Sequence, residues 1–168
     1  MPPNRLVGTT GGDDATRLLG GDCHANALTG GAGDDRLFGH RGADTLQGGA
    51  GDDILLPGRG GDRALGGAGD DSFVFHTIRE AGRGSWSDTI LDFGNGHDTI
   101  DLSAIDADRR TDGDQAFSWL GDGPFEGGRG SLRFEGGVLH GDMNGDTKAD
   151  FSVHLAGVHA LAANDLLL

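Results

Sequence analysis

The sequence predicts an all-β protein: a parallel β-roll solenoid followed by a small antiparallel β-sandwich-like C-terminal domain. Three observations predict it. Gly30 to Val74 consists of five consecutive nine-residue repeats, GGAGDDRLF, GHRGADTLQ, GGAGDDILL, PGRGGDRAL and GGAGDDSFV. An aspartate recurs every nine residues, at Asp35, Asp44, Asp53, Asp62 and Asp71, and two residues after each stands Leu37, Leu46, Leu55, Ala64 or Phe73. Beyond Asp88 the chain changes to short alternating apolar and polar segments broken by Gly-rich turns. Self-similarity at a fixed short period is the signature of stacked coils.

Residues 1–29 read as worn repeats forming an irregular N-terminal cap. Gly8-Thr9-Thr10-Gly11-Gly12-Asp13 fits a Gly-x-x-Gly-x-Asp frame, Gly20-Gly21-Asp22 begins another, and the register slips before Gly30. Terminal coils of solenoids are commonly atypical because one face meets water. Residues 30–75 form the roll. Within each repeat the glycines make a turn that tolerates positive φ, and Asp-x-apolar-x is a short extended segment whose apolar side chain points inward. Two repeats make one coil with two strands and two turns.

Residues 76–168 are read as the C-terminal β domain. Gly82, Gly84, Ser85 and Ser87 belong to a loop. Thr89–Phe93 and Thr99–Leu102 read as strands joined by the turn Gly94-Asn95-Gly96, and Ala116–Leu120 as another. Leu132–Glu135, Gly136-Gly137 and Val138–His140 spell a hairpin, because a Gly-Gly loop supplies the positive φ that tight hairpins need. Phe151, Val153 and Leu155 alternate with polar residues as a half-buried strand, and Ala160–Leu168 has room for a helical turn.

Composition limits the function. The 168 residues carry 27 acids against 13 bases, a net charge of −14, with 34 glycines. Nucleic-acid recognition needs a basic footprint, which is missing. No apolar run is long enough to span a membrane as a helix. The single cysteine, Cys23, excludes an intrachain disulfide framework. The start, Met1-Pro2-Pro3-Asn4-Arg5, lacks the apolar core of a secretory signal peptide. Low hydrophobicity with high charge describes a disordered chain unless cations neutralise the carboxylates.

The repeat spacing supplies that cation. Successive coils stack ~4.8 Å apart, so aspartates one coil apart lie above one another and repel. Calcium takes ~6–8 oxygen ligands in a forgiving geometry, which suits carboxylates mixed with backbone carbonyls. Zinc would want Cys or His at the repeat positions. The expected ligand set is Gly30, Gly31, Gly33, Asp35, Asp44, Gly48, Gly49, Gly51, Asp53, Asp62, Gly66, Gly67, Gly69 and Asp71. The edge carrying Asp35, Asp53 and Asp71 is expected to be well formed. The edge carrying Asp44 and Asp62 is expected to be weaker, since His40 and Pro57 replace glycines there. Beyond the repeats, Asp88, Asp92, Asp98 and Asp101 are candidates to cap the roll with a further ion; Asp92, Asp98 and Asp101 join the ligand set. Asp142, Asn144, Asp146 and Asp150 have EF-hand-like spacing, but Val153 stands where the bidentate Glu belongs.

These repeats resemble the RTX, or haemolysin-type, calcium-binding proteins. The segments Ser87–Phe93, Gly96–Asp106 and Asp142–Phe151 resemble the C-terminal domain of serralysin-type secreted metalloproteases. The resemblance implies a parallel β-roll with several calcium ions in its turns. The tail Asn164-Asp165-Leu166-Leu167-Leu168 resembles the family's export signal. It implies extracellular delivery by an ABC transporter without an N-terminal signal peptide, and folding on calcium outside the cell. The seven histidines include no His-Glu-x-x-His, and no Gly-x-Ser-x-Gly occurs, so the chain carries no protease or lipase centre. The expected function is a non-catalytic calcium-binding and export module. The alternatives are the tail of a secreted zinc metalloprotease, or a glycan-binding module of a polysaccharide-modifying enzyme such as an alginate epimerase.

Overall fold

The nine-residue repeat becomes one strand and one turn, and successive strands alternate between two facing sheets. The computed structural model describes residues 4–7, as backbone, and 18–168. Strands β1 (Asn4–Val7), β3 (Asn26–Ala32), β5 (Thr45–Ala50), β7 (Arg63–Ala68) and β9 (Asp88–Ile90) lie side by side in the first sheet. Strands β2 (Leu18–Gly20), β4 (Arg36–Phe38), β6 (Ile54–Leu56), β8 (Ser72–Val74) and β10 (Thr99–Asp101) form the second. All these pairings are parallel.

The register stacks the repeat's apolar residues into two columns. In the first sheet Leu28, Leu46, Ala64 and Ile90 are neighbours; in the second Leu37, Leu55, Phe73 and Ile100 are. Each is at most 1% exposed. Ala64 is closed off as completely as its larger neighbours, so the short side chain leaves no solvent-open slot. Strands β3, β5 and β7 are longer than expected. They run on into the next Gly-Gly-Ala, where Gly31 pairs with Gly49 and Ala32 with Ala50.

The N-terminal cap is more regular than its sequence suggests. GDCHANALT, residues 21–29, is a sixth repeat in phase: Leu28 pairs with Leu46, and Leu19 with Leu37. Asn26 replaces the repeat's aspartate, and the glycine losses at Asp22 and His24 hid the frame. The slip comes earlier, because Asn4 pairs with Asn26. The frame read over Gly8–Asp13 lies outside the described residues.

The segment after the repeats extends the roll. Residues 75–87 leave the coil as a loop holding helix α1 (Ile78–Ala81) and a 3₁₀ turn at Gly84–Trp86. The coil then resumes. β9 and β10 do not pair with each other as a hairpin; each continues a different sheet, and Gly94–Gly96 lies in the turn between the sheets. Among the described residues antiparallel pairing is confined to β12 (Ser131–Glu135), β13 (Val138–Asp142) and β14 (Phe151–Leu155). The expected Gly136-Gly137 hairpin is there, with φ of 59° and 81°. β14 runs parallel to β9, and β11 (Ser118–Trp119) parallel to β12, completing the first sheet. At the chain end a 3₁₀ turn, Ala163–Asp165, leads into β15 (Leu166–Leu167), which pairs with β10. The antiparallel strands and the roll share one continuous apolar core, from Leu28 through Phe75 and Ile100 to Phe151 and Leu166.

Truncating Leu46 at the middle of its column should lower unfolding free energy by about 2–5 kcal/mol. Gln47→Ala, on the exposed side of the same strand, should stay within about 0.5 kcal/mol. Urea unfolding at fixed divalent-cation concentration measures both.

Candidate metal centre at the turn edges

Each Gly-Gly-x-Gly-x-Asp turn folds back so that its aspartate faces the interior of the roll edge. The path needs glycine where coils touch: at Gly49, φ is 132° and an added Cβ would run into the Gly31 carbonyl. His40 takes the equivalent position on the other edge with φ 72°, and its ring stacks on Phe38. Asp35, Asp44, Asp53, Asp62 and Asp71 are all about 1% exposed.

These carboxylates form two ladders. On one edge the Asp35 amide donates to Asp53 Oδ1 at 2.7 Å, the Asp53 amide to Asp71 Oδ1 at 2.9 Å, and the Asp71 amide to Asp98 Oδ1 at 3.1 Å. On the other edge the amides of Asn26, Asp44 and Asp62 donate to Asp44, Asp62 and Asp88 at 2.7, 2.7 and 2.8 Å. The edge expected to be weaker therefore carries an equally short ladder. The difference lies outside it. Only the first edge adds an exposed ladder, in which the amides of Asp52, Asp70 and His97 donate to Asp34, Asp52 and Asp70 at 2.9 Å.

In five of the buried carboxylates one oxygen accepts a ladder amide and the other has no donor. Oδ2 of Asp44, Asp53, Asp62, Asp71 and Asp88 is buried with no hydrogen-bond donor. The missing Cβ of the turn's first glycine marks the space they face. At Gly48 that space is bordered by Asp53 Oδ2 and, at 2.6 Å, the Gly66 carbonyl oxygen; at Gly30, by Asp35 Oδ2 and, at 2.6 Å, the Gly48 oxygen. At Gly66 it is bordered by Asp71 Oδ2. At Gly39 it is bordered by Asp44 Oδ2, at 2.8 Å, and the Pro57 carbonyl oxygen. Pro57 thus places its carbonyl oxygen as Gly48 and Gly66 place theirs. Among the described residues no three His, Cys, Asp or Glu side chains converge as a metal cluster. The donor set is instead one carboxylate oxygen with backbone carbonyls. These hard oxygens fit a hard cation that can fill a site one residue wide.

Burial sets the ionisation. It pushes Asp53 and Asp62 up to about 7, Asp44 and Asp71 to about 6, and Asp88 to about 9, with neighbouring carboxylates adding to the effect. An unfolded aspartate titrates near ~3.9. Folding without a cation therefore takes up protons.

Other sequence-selected residues fall differently. Gly31, Gly33, Gly51, Gly67 and Gly69 lie where successive turns stack backbone on backbone. Asp92 lies one coil beyond Gly66, accepts its amide at 3.0 Å, and is raised mainly by burial. Asp98 closes the first ladder with one oxygen and accepts the Gly94 amide at 2.7 Å with the other. Asp101 stays away from the turns, accepting the Ser103 amide and hydroxyl at 2.9 and 2.6 Å. Its neighbour Ile100 points inward, so Asp101 must point out. Sequence reading left Asp88 among the optional caps, though it is the last rung of the second ladder. Its signal was the repeated Asp-x-apolar pattern, Asp88-Thr89-Ile90 and Asp98-Thr99-Ile100, obscured because the loop lengthens the spacing from 18 to 26 and 27 residues. The Asp142 loop satisfies itself. Asp142 accepts the amides of Asn144, Gly145 and Thr147, and Asp150 accepts that of Met143.

Two facing sheets of parallel strands, joined by Gly-Gly-x-Gly-x-Asp turns with inward carboxylates, define a β-roll of the RTX type. The chain belongs to the Peptidase M10 serralysin C-terminal family, which matches residues 21–168. That family is a non-catalytic repeat module and implies calcium binding. No curated protein sequence matches the chain. Among solved structures it is similar to the AlgE6R2 subunit of the Azotobacter vinelandii mannuronan C5-epimerase. The two are 29% identical with a TM-score of 0.55, over 99% of this chain and 92% of that one. The AlgE6R3 subunit of the same enzyme is 27% identical with a TM-score of 0.50, over 92% and 80%.

Two outcomes follow from this geometry. In chelator, the raised carboxyls contribute stability that is fully present below about pH 4 and lost as pH rises through about 6 to 9. Circular dichroism should show β content falling between those limits. Asp53→Asn keeps an acceptor for the Asp35 amide and aims an N–H₂ at the carbonyl side. It should stabilise the chelated protein by roughly 1 kcal/mol while weakening cation binding; thermal melts with and without cation separate the two effects.

Proposed function

We propose that this chain is a non-catalytic RTX module that folds on calcium outside the cell and supports export through an ABC transporter. One observation carries the calcium reading: buried Oδ2 atoms of Asp44, Asp53, Asp62, Asp71 and Asp88 have no donor, and those of Asp44 and Asp53 face backbone carbonyl oxygens. Asp53 and Asp71 with the carbonyls of Gly48 and Gly66 would hold ions on one edge. Asp44, Asp62 and Asp88 with the Pro57 carbonyl would hold them on the other. Bound calcium supplies the positive charge that lets stacked carboxylates remain ionised. In this reading residues 30–75 bear most of the sites, 76–168 close them, and 18–29 form the entry coil.

Calcium then acts as a switch between two solvents. Where free calcium is scarce, a chain of net charge −14 resists compaction. Where it is abundant, ion-binding free energy becomes folding free energy. The C-terminal tail supports an export reading in which recognition precedes folding. Leu166 and Leu167 are taken into the second sheet, and Leu102 donates to the Leu167 carbonyl at 2.9 Å. A receptor can hold this tail freely only before the roll closes.

Adding millimolar calcium to the chelated chain at neutral pH should raise β-sheet circular dichroism sharply. Native mass spectrometry should count several ions. A spectrum equally β-rich in EDTA and in calcium would refute the switch. Binding should also release protons, because ligands held near pKa 6–7 must ionise; calorimetry in buffers of different ionisation enthalpy reads that release at pH 6.

A further inference from the structure

Gly94-Asn95-Gly96 turns the last coil of the first edge. Earlier on this edge a turn's amide is taken by the coil after it: the Gly33 amide donates to the Ala50 carbonyl at 2.7 Å and the Gly51 amide to the Ala68 carbonyl at 2.8 Å. Gly96 holds the same place in the final coil, since a Cβ on Gly51, Gly69 or Gly96 would run into the carbonyl of Gly33, Gly51 or Gly69 in turn. With no further Gly-rich turn stacked on it, the Gly96 amide has no acceptor among the described residues. Gly96 instead lines an open cavity of about 500 Å³ between this turn and residues 157–160, Asn164 and Asp165.

The residue before that amide is an asparagine. Of the five asparagines, Asn95 and Asn144 are the two that precede glycine, where no Cβ hinders the next backbone nitrogen from closing on the side-chain carbonyl carbon. Both are exposed. Their surroundings differ. The Gly145 amide donates to Asp142 Oδ1 at 2.7 Å, and the Asn144 side chain donates to Asp150 at 3.1 Å. There the attacking nitrogen is taken and the side chain is tied down. At Asn95 the side-chain nitrogen alone is engaged, donating to the Gly67 carbonyl at 2.8 Å. An added Cβ at Gly94 would meet nothing within 4 Å, so the turn has room to move.

We propose that Asn95 is a site of spontaneous deamidation that ages the closing coil. The Gly96 nitrogen gives its proton to solvent and bonds to Asn95 Cγ. The Cγ–Nδ2 bond breaks, and that nitrogen takes up a proton and leaves as ammonia. Water then opens either carbonyl of the five-membered imide, leaving aspartate or isoaspartate at position 95. Nothing is oxidised or reduced. Either product loses the N–H that ties this turn to Gly67. Isoaspartate also adds a carbon to the backbone of a turn that seats Gly96 on the Gly69 carbonyl, the Gly94 amide on Asp98 and the His97 amide on Asp70. Asp98 is the last acceptor of the first buried ladder, so the change reaches the Asp71 amide. The inference rests on the stacking of the turns, whichever ion fills them.

The full chain is incubated at mildly alkaline pH in millimolar calcium, with circular dichroism in the same buffer reporting the fold. Peptide mapping by mass spectrometry should find deamidation at Asn95, and at Asn144 at least about tenfold more slowly, the difference a hydrogen bond to a carboxylate imposes. In urea the two sites should react at similar rates. Isoaspartyl methyltransferase should label the aged chain, and Asn95→Gln should lose most of that label. Hydrogen exchange should show lost protection at the Asp71 and Gly94 amides of the modified chain, while the Leu46 amide in mid-roll keeps its protection. Equal rates at both asparagines in the folded chain, or faster reaction at Asn144, would overturn the proposal. So would a folded chain that stays intact at Asn95 while its urea-unfolded form reacts, or exchange at Asp71 that modification leaves unchanged.

Discussion

The fold depends on stacking like charges in the dark. The repeat's carboxylates must lie above one another to keep the apolar columns in register, and Asp44, Asp53, Asp62, Asp71 and Asp88 each have one oxygen that the polypeptide gives no donor. The backbone satisfies the other oxygen through the amide one coil earlier. What is left is an acceptor lined up with acceptors, an arrangement that protein atoms alone do not resolve. Protons resolve it in acid, and a divalent cation would resolve it at neutral pH. The same atoms thus set the pH response, the metal preference and the dependence of folding on surroundings.

The two turn edges solve this problem alike and differ on their outer surfaces. Inside, ladder distances match and Pro57 offers the carbonyl that Gly48 offers on the other side. Outside, one edge shows Asp34, Asp52 and Asp70, and the other shows Arg41 and Arg59. Positions that face the turn interior are constrained by geometry; positions that face water are free to vary. A repeated interior therefore presents two differently charged surfaces.

Much of this was legible in the sequence because the repeat period equals the structural period. Asp35, Asp53 and Asp71 share an edge because 18 residues make one coil, and the apolar residue two positions on had to point inward. The Gly136-Gly137 hairpin was legible because two positive-φ residues allow little else. Legibility failed where the period was interrupted. Asp88 escaped full recognition because loop 75–87 moved it out of phase, and residues 21–29 looked worn because glycines were replaced while their register was kept. The parallel course of β9 and β10 was hidden for another reason. A turn such as Gly94-Asn95-Gly96 connects two facing sheets as readily as two adjacent strands, and only the neighbours decide.

The buried ladder also has a direction. In every rung the later residue supplies the carboxylate and the earlier one the amide. Each coil is thus fastened by its successor, and the final fasteners, Asp88 and Asp98, lie past the last repeat. A coil whose successor is missing keeps its strand pairing to the coil before but lacks its buried carboxylate acceptor. Removing the closing strands would therefore take the buried acceptors from Asp62 and Asp71 first, as a zipper opens at its slider.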